Sequence, residues 1–521
     1  MRIEPAELGG NTLSKLAQDG QPPSQWYEPR PRTVEQWRAR ADSIRPSSAT
    51  WLEPLAPALG HSSGISRLAR VAEQRGVVVT TGQQPGLFGG PVYTWSKALS
   101  ALALADAIES ETGIPAAPVF WAATDDSDFA EGAFTMVARG GGVDRISIES
   151  TMPEGTRLAD IPLPDMGGPL QRFAAACGSA ADARVIDAVR GSYHPGATVG
   201  GAYVALLRAV LEPLGVAVLD SASEAVARAA HPILQRALLE RERIASGLSR
   251  RSAALAAAGY APQVPDLDHL TLVFERRGPR RERIPRARGA VAAANAAAGS
   301  LSPNVLLRPV VERALLPTVA YVAGPGEIAY FAQVSAVAES LGIAAPLAVP
   351  RWSATLVEPH VQDIMTRYGL RLEDFAEPHA VETRLARAAW PVGTARALEQ
   401  LRHELADRLA AVRASLSGLE RMAPAATVDG TARALEWRIS RLERRINAAV
   451  KARETALMHD IATARGSLFP GGLRQERALN LLPLLARHGL ALLDEMRAHA
   501  GAHARRLLGS VAKPDRASVV A

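Results

Sequence analysis

Along the first two thirds of the chain, short apolar runs alternate with longer helical patterns, an order that predicts a parallel α/β core. Residues 76–81 read as a buried strand, 82–90 as a glycine-rich loop, 93–110 as a helix, and 118–123 as a second strand running into an acidic loop. Strand, loop, helix and strand make one βαβ unit of the doubly wound kind. A second unit follows as strand 315–323, turn 324–326, helix 328–340 and strand 346–349, and both units are expected in one sheet. The stretch between them, 146 to about 299, carries shorter elements, among them a helix at 202–211 and a strand at 215–219, read as insertions on the sheet's edge.

After Arg351 the texture changes to long amphipathic helices. Leu398, Leu401, Leu405, Leu409, Val412, Leu416 and Leu419 fall three and four apart, which makes one apolar stripe with charged residues opposite. Leu435, Ile439, Leu442, Ile446, Ala449, Leu457 and Ile461 make a second stripe. With a loop at 422–429 between them, an antiparallel helical hairpin is expected. Such stripes serve either self-packing or an oligomer seam.

Length and composition narrow the class. A chain of 521 residues is too long for one ordinary core, so an α/β body with at least one further module is expected. A single cysteine, Cys177, excludes intramolecular disulfides and a cysteine-rich metal site, which fits a reducing cytoplasm. The start lacks an apolar signal core, and the best apolar helix, 99–108, is too short to span a bilayer. No membrane partner is expected. The 59 basic and 53 acidic residues leave a net charge of +6, modest for this length. The densest basic run, 276–288, lacks the interleaved aromatics of a single-strand platform and reads as a solvated hairpin or arm, so no nucleic-acid partner is expected.

Three segments are placed to carry chemistry. The loop from Thr81 and Gly82 through Gln83, Gln84 and Pro91 follows a strand and opens a helix containing Lys97, where free N–H groups favour an anion. Two glutamines there suit a polar ligand, or amides that only fix the loop. The acidic loop Asp125-Asp126-Ser127-Asp128 lies past the carboxyl end of the next strand. Its carboxylates suit an ammonium group, a Mg²⁺ ion or a general base, or merely the cap of a following helix. Gly324-Pro325-Gly326-Glu327-Ile328-Ala329 satisfies G-x-G-x-x-A, with Arg351 beyond the next strand, and so raises the alternative of an NADP-dependent oxidoreductase. Against it, Glu327 would set a carboxylate in the pyrophosphate site. Cys177 and the eleven histidines form no metal or nucleophile motif; Cys177 reads as buried filler and His194 as a turn residue.

These blocks together resemble one family, the cysteine-adding enzymes of bacillithiol biosynthesis (BshC). The similarity runs through Thr81-Gly82-Gln83-Gln84, Pro91-Val92-Tyr93-Thr94, Pro118-Val119-Phe120-Trp121 and Ser302-Pro303-Asn304-Val305 with Arg308-Pro309. It continues through Gly324 to Tyr330, then Leu468-Phe469-Pro470-Gly471-Gly472, Gln475-Glu476-Arg477 and Asn480-Leu481-Leu482-Pro483, in the family's order.

The resemblance implies an α/β fold: a Rossmann-like parallel-sheet core with connecting insertions, plus a C-terminal α-helical coiled coil that makes a homodimer. The expected division is 1–145 and 301–390 for the two halves of the core, 146–300 for the insertions, 391–465 for the coiled coil, and 466–521 for a helical segment packing back on the core. The implied activity is a ligase that joins cysteine to glucosaminyl malate through an amide. Activating a carboxylate in water calls for ATP, with Mg²⁺ as its companion. By position, Asp125, Asp126, Asp128 and Lys97 are the catalytic candidates. Thr81, Gly82, Gln83, Gln84, Tyr93, Asn304, Arg308, Gly326, Glu327, Tyr330 and Arg351 are the substrate-binding ones. The family's acidic loop ordinarily reads Glu-Asp-His-Asp; this chain departs from it at Ser127.

Overall fold

In the computed structural model, which describes residues 1–60, 63–139, 141–265, 268–416 and 425–510, the alternating apolar runs become one parallel sheet. The strands that shape the site, numbered in chain order, are β1 (Val77–Gln83), β2 (Ala116–Ala122), β3 (Ala217–Asp220), β4 (Leu270–Arg277), β5 (Arg280–Pro285), β6 (Leu301–Pro303), β7 (Thr318–Ala323) and β8 (Ala348–Pro350). Five of them form the parallel sheet in the order β8-β7-β1-β2-β3, while β5-β4-β6 form a small antiparallel sheet beside it. Strands β2 and β7 are buried along their whole length, which is why they read as unbroken apolar runs rather than alternating ones.

The helices that position the site are α1 (Val92–Thr112), α2 (Glu224–Leu239), α3 (Arg308–Leu315) and α4 (Pro325–Leu341). The C-terminal part adds α5 (Thr394–Ser415), α6 (Ala425–Arg453), α7 (Thr455–Leu468), α8 (Gln475–Ala478) and α9 (Ala491–Leu508). Helix α1 is apolar nearly all round because it is covered on both sides. Trp95, Leu99 and Leu102 share one core with the sheet and with Met496, Ala500 and Ala504 of α9. On the opposite side α3 and α4 build a second core around Val310, Tyr321, Phe331 and Val334.

Several expectations shift. The strand expected at 215–219 forms as β3 and is itself the outer strand of the main sheet, paired in parallel with β2, rather than part of an added insertion. Gly82 and Gln83 belong to β1, opposite Trp121 and Ala122, and a Cβ on Gly82 would lie 2.7 Å from the Trp121 carbonyl oxygen. Pro325 and Gly326 are not a free turn but the first residues of α4, consistent with the preference for proline in a first helical turn.

Helices α5 and α6 lie antiparallel, with Arg402 reaching Glu436 and Glu443 and Arg413 reaching Asp429. Leu398 and Ile439 are buried between them, beside Trp390, Leu405 and Ile446. Of the expected connecting loop 422–429, residues 425–429 are helical and the rest, with Leu419 of the first stripe, lie outside the described residues. The second stripe does not run on unbroken: Glu454 separates α6 from α7, and Ile461 packs with Val357, Val361 and Leu468 in another cluster. Among the described residues no helix is long and apolar enough to cross a membrane.

Candidate active site

The carboxyl ends of β1, β2, β7 and β8 point into one cavity of about 500 Å³, at the crevice where the sheet order reverses between β1 and β7, the place open α/β sheets favour for ligands. The β4–β5 hairpin and α8 contribute the remaining wall through Phe274, Arg281, Arg283 and Arg477. Of the candidates from sequence, Gly82, Gln83, Gln84, Tyr93, Lys97, Asp125, Asp126, Asn304, Arg308, Gly326, Glu327, Tyr330 and Arg351 all line it. Two do not. The Thr81 hydroxyl is turned into the sheet, donating to Val322 O at 2.8 Å, and Asp128 caps the short helix Phe129–Gly132 by accepting from Glu131 N. Asp128 therefore follows the capping alternative. Ser127 lies on the same loop without lining the cavity, its N–H bonded to Asp126 Oδ1 at 2.6 Å.

The floor is a chain of buried charges. Lys97, from the second turn of α1, donates from Nζ to Gly82 O at 2.8 Å and Gln83 Oε1 at 3.0 Å, and pairs with Glu327 Oε2 at 2.5 Å. The same Glu327 oxygen accepts the Gly324 N–H at 2.7 Å, so the carboxylate closes the start of α4, and its other oxygen accepts from the Tyr321 hydroxyl at 2.7 Å. Arg308 donates to that hydroxyl at 2.9 Å and to Glu312 Oε2 at 2.9 Å, one turn along α3. Burial works against every charge here. For Glu327 it is outweighed by Lys97 and the hydrogen bonds from Gly324 and Tyr321, and the carboxyl sits below its ordinary range. Burial, with Arg308 and Arg351 nearby, draws the Lys97 ammonium down despite Glu327. Burial also pushes Glu312 from 4.5 up to about 7 against the pull of Arg308. The Tyr93 hydroxyl, accepting from Gln83 Nε2 at 3.2 Å, is pushed up to about 12 by burial and by Glu131 and Glu327.

The acidic wall faces this floor. Asp126 Oδ2 accepts from Gln84 Nε2 at 2.5 Å, and Asp125 accepts from the Ser221 hydroxyl just past β3. Arg281 lies between them, 3.5 Å from Asp126 and 3.7 Å from Asp125. Its guanidinium lies 3.9 Å from the Phe274 ring centre, and it donates to Ser302 Oγ at 2.8 Å and Pro303 O at 2.5 Å. The basic run is thus a hairpin, as expected, but Arg281 is not solvated. Alternation along β5 puts Arg281 and Arg283 on one face, but nothing in the run itself says that this face turns inward.

Arg351 lines the cavity, yet its guanidinium is held by Glu476 of α8 at 2.7 and 2.8 Å, with the Ser353 hydroxyl donating to the same carboxylate. Asn304 is spent partly on capping, its side-chain oxygen accepting from Leu307 N at 3.0 Å. Arg477, which no role was assigned from sequence, is an exposed cation at the rim. Among the described residues no cluster of three or more His, Cys, Asp or Glu is arranged to hold a metal ion. Cys177 is buried, its thiol pushed up to about 11 by burial, and the His194 ring contacts the Pro195 carbonyl, so neither joins the site.

A polar cavity with an acidic wall and a charge-paired floor, at the switch point of a parallel sheet and carrying a coiled-coil appendage, defines a Rossmann-like protein of a two-domain class. Residues 11–352 match the N-terminal Rossmann-like domain of bacillithiol biosynthesis BshC, and residues 354–506 match its C-terminal coiled-coil domain. The chain belongs to the BshC family. It is 34% identical to a protein of Solibacter usitatus named "Putative cysteine ligase BshC" over 441 residues, 82% of each chain. Proteins of the same name from Koribacter versatilis (33% identical, 87% of each chain) and Geobacillus thermodenitrificans (27% identical, 83% of this chain and 84% of that one) are also similar.

Proposed function

We propose that the protein is a ligase that joins L-cysteine to glucosaminyl malate, the last step of bacillithiol assembly, with ATP activating the cysteine carboxylate. The observation that carries this reading is the juxtaposition, in one cavity, of an acidic wall at Asp125 and Asp126 with cationic groups at Lys97 and Arg308. The acidic wall suits an ammonium group, and the cations suit carboxylate or phosphate. In the reaction the cysteine carboxylate attacks phosphorus of ATP, giving an acyl adenylate and pyrophosphate or an acyl phosphate and ADP. The amine of glucosaminyl malate then attacks the acyl carbon, the amide forms, AMP or phosphate departs, and an aspartate takes the amine proton. Mg²⁺ would arrive on the ATP phosphates, which suits an ion that binds through few protein carboxylates. Nothing favours a dinucleotide instead: the Glu327 carboxylate occupies the α4 N-terminus where a pyrophosphate would have to sit.

The same proposal includes a homodimer in the cytoplasm, a second copy covering Leu401, Val412, Trp437 and Leu442, which α5 and α6 leave exposed. Incubating purified protein with cysteine, glucosaminyl malate and Mg-ATP tests the activity. The expected result is a new thiol of the conjugate's mass with matching nucleotide consumption, and its absence from active-concentration mixtures overturns the reading.

A further inference from the structure

Behind the acidic loop lies a second, smaller cavity of about 30 Å³ that shares Trp121, Asp125 and Pro303 with the main one. A buried water needs roughly 10–15 Å³ of such space, so this volume holds two waters or one small side chain. Its far walls are apolar and small: Val226, Ala227 and Ala230 on α2, Leu301 on β6, Val311 on α3. Its near side carries the Asp125 carboxylate and the Ser221 hydroxyl bonded to it. Arg157 also borders it, but that guanidinium is committed to Asp160 at 2.7 and 2.9 Å. The Trp121 indole N–H is buried and has no hydrogen-bond acceptor among the described residues, a state that protein interiors rarely leave unrelieved.

We propose that this cavity is the side-chain subsite of the amino-acid substrate, an inference that rests on the ligase reading above. The substrate's ammonium joins Arg281, 3.5 Å from Asp126 and 3.7 Å from Asp125, as a second cation on the Asp125 and Asp126 carboxylates, its CH₂–SH enters the small cavity, and its carboxylate stays in the main cavity where the new bond is made. The dimensions admit a side chain of two heavy atoms and exclude branched or longer ones. The apolar far wall suits the sulfur of a CH₂–SH group, which behaves as a small hydrophobe.

Calorimetric titration of the full-length protein with L-cysteine, L-2-aminobutyrate, L-valine and N-acetyl-L-cysteine, repeated on Ala227→Leu and Ala230→Val, tests the assignment. Cysteine and 2-aminobutyrate, whose ethyl group matches the thiomethyl in size, should bind within about tenfold of each other. Valine should bind about 10- to 200-fold more weakly than cysteine, the range one misplaced methylene commands in a fitted pocket. N-acetylation, which removes the ammonium, should weaken cysteine at least as much. Each filling substitution should weaken cysteine by about tenfold or more while glucosaminyl malate affinity stays unchanged. Wild-type protein that binds cysteine, with both folded variants binding it equally well, overturns the subsite and leaves the ligase reading standing. Valine bound as tightly as cysteine by the wild type overturns it too, even if neither variant folds. Wild-type protein that binds no cysteine at all fails the ligase reading, and the subsite with it.

Discussion

Glu327 holds three donors at once: the Lys97 ammonium, the Gly324 N–H and the Tyr321 hydroxyl. Glu327→Gln keeps the shape and removes the charge, leaving a buried ammonium flanked by Arg308 and Arg351. An uncompensated buried charge costs about 3–5 kcal/mol, so the urea midpoint of the variant should fall accordingly; an unchanged midpoint would mean that Lys97 is neutral in the folded protein. Glu312 behaves in the opposite sense. Its carboxyl titrates near 7 in the folded chain against 4.5 ordinarily, so between those pH values the unfolded chain has lost the proton and the folded one has kept it. The associated stability is fully present below pH 4.5 and is lost as pH rises through 7. Wild type should therefore lose about 3 kcal/mol relative to Glu312→Gln over that window, and little above it. Denaturant titrations at pH 5, 6, 7 and 8 would show the trend, and a difference that does not change with pH refutes it.

Among the elements, the helical hairpin sorts its own apolar residues into two faces. Leu405 and Ile446 face the hairpin's interior beside Leu398 and Ile439, while Leu401 and Leu442 face outward, 41% and 46% exposed. In the proposed dimer these two residues lie at the seam, so Leu401→Glu with Leu442→Glu should give a monomer in light scattering with little change in melting. Ile446→Glu, by contrast, buries a charge inside the hairpin and should lower its melting temperature. A monomeric wild type contradicts the dimer, and a double variant that stays dimeric places the seam elsewhere. Helix α8 is tied to the sheet differently, through the Arg351–Glu476 pair, both residues nearly inaccessible. Glu476→Gln should cost about 3–5 kcal/mol and loosen the end of β8 beside the cavity, visible as faster amide exchange at Val349, Arg351 and Trp352. The main elements were legible because buried parallel strands are continuous apolar runs and amphipathic helices keep their period. The outer strand β3 was found but misassigned, since pairing partners leave no local mark on a four-residue run. The break at Glu454 was missed because a helical period continues across it.

For the whole molecule, the cavity is where distant parts of the chain meet: β1 and β2 from the first unit, α3 and α4 from the second, the β4–β5 hairpin between them, and α8 from the C-terminal part. The portion of the wall made at strand ends was readable, because a doubly wound sheet sends every such end to one edge. Arg281 and Arg477 were not. In a run of many arginines nothing local says which one folds inward, and no spacing rule connects residue 477 to a loop at 84. Thr81 and Asp128 erred the other way, sitting in the right segments with their side chains taken up by the sheet and by a helix cap. The most direct measurement of the central claim uses cysteine labelled with ¹⁸O in its carboxylate, together with glucosaminyl malate and Mg-ATP. Activation by ATP followed by amide formation must pass one labelled oxygen to AMP or to phosphate for each conjugate made, and mass spectrometry of the nucleotide and phosphate should find it there. Conjugate formed with no label in either, or label transfer with no conjugate, contradicts the account.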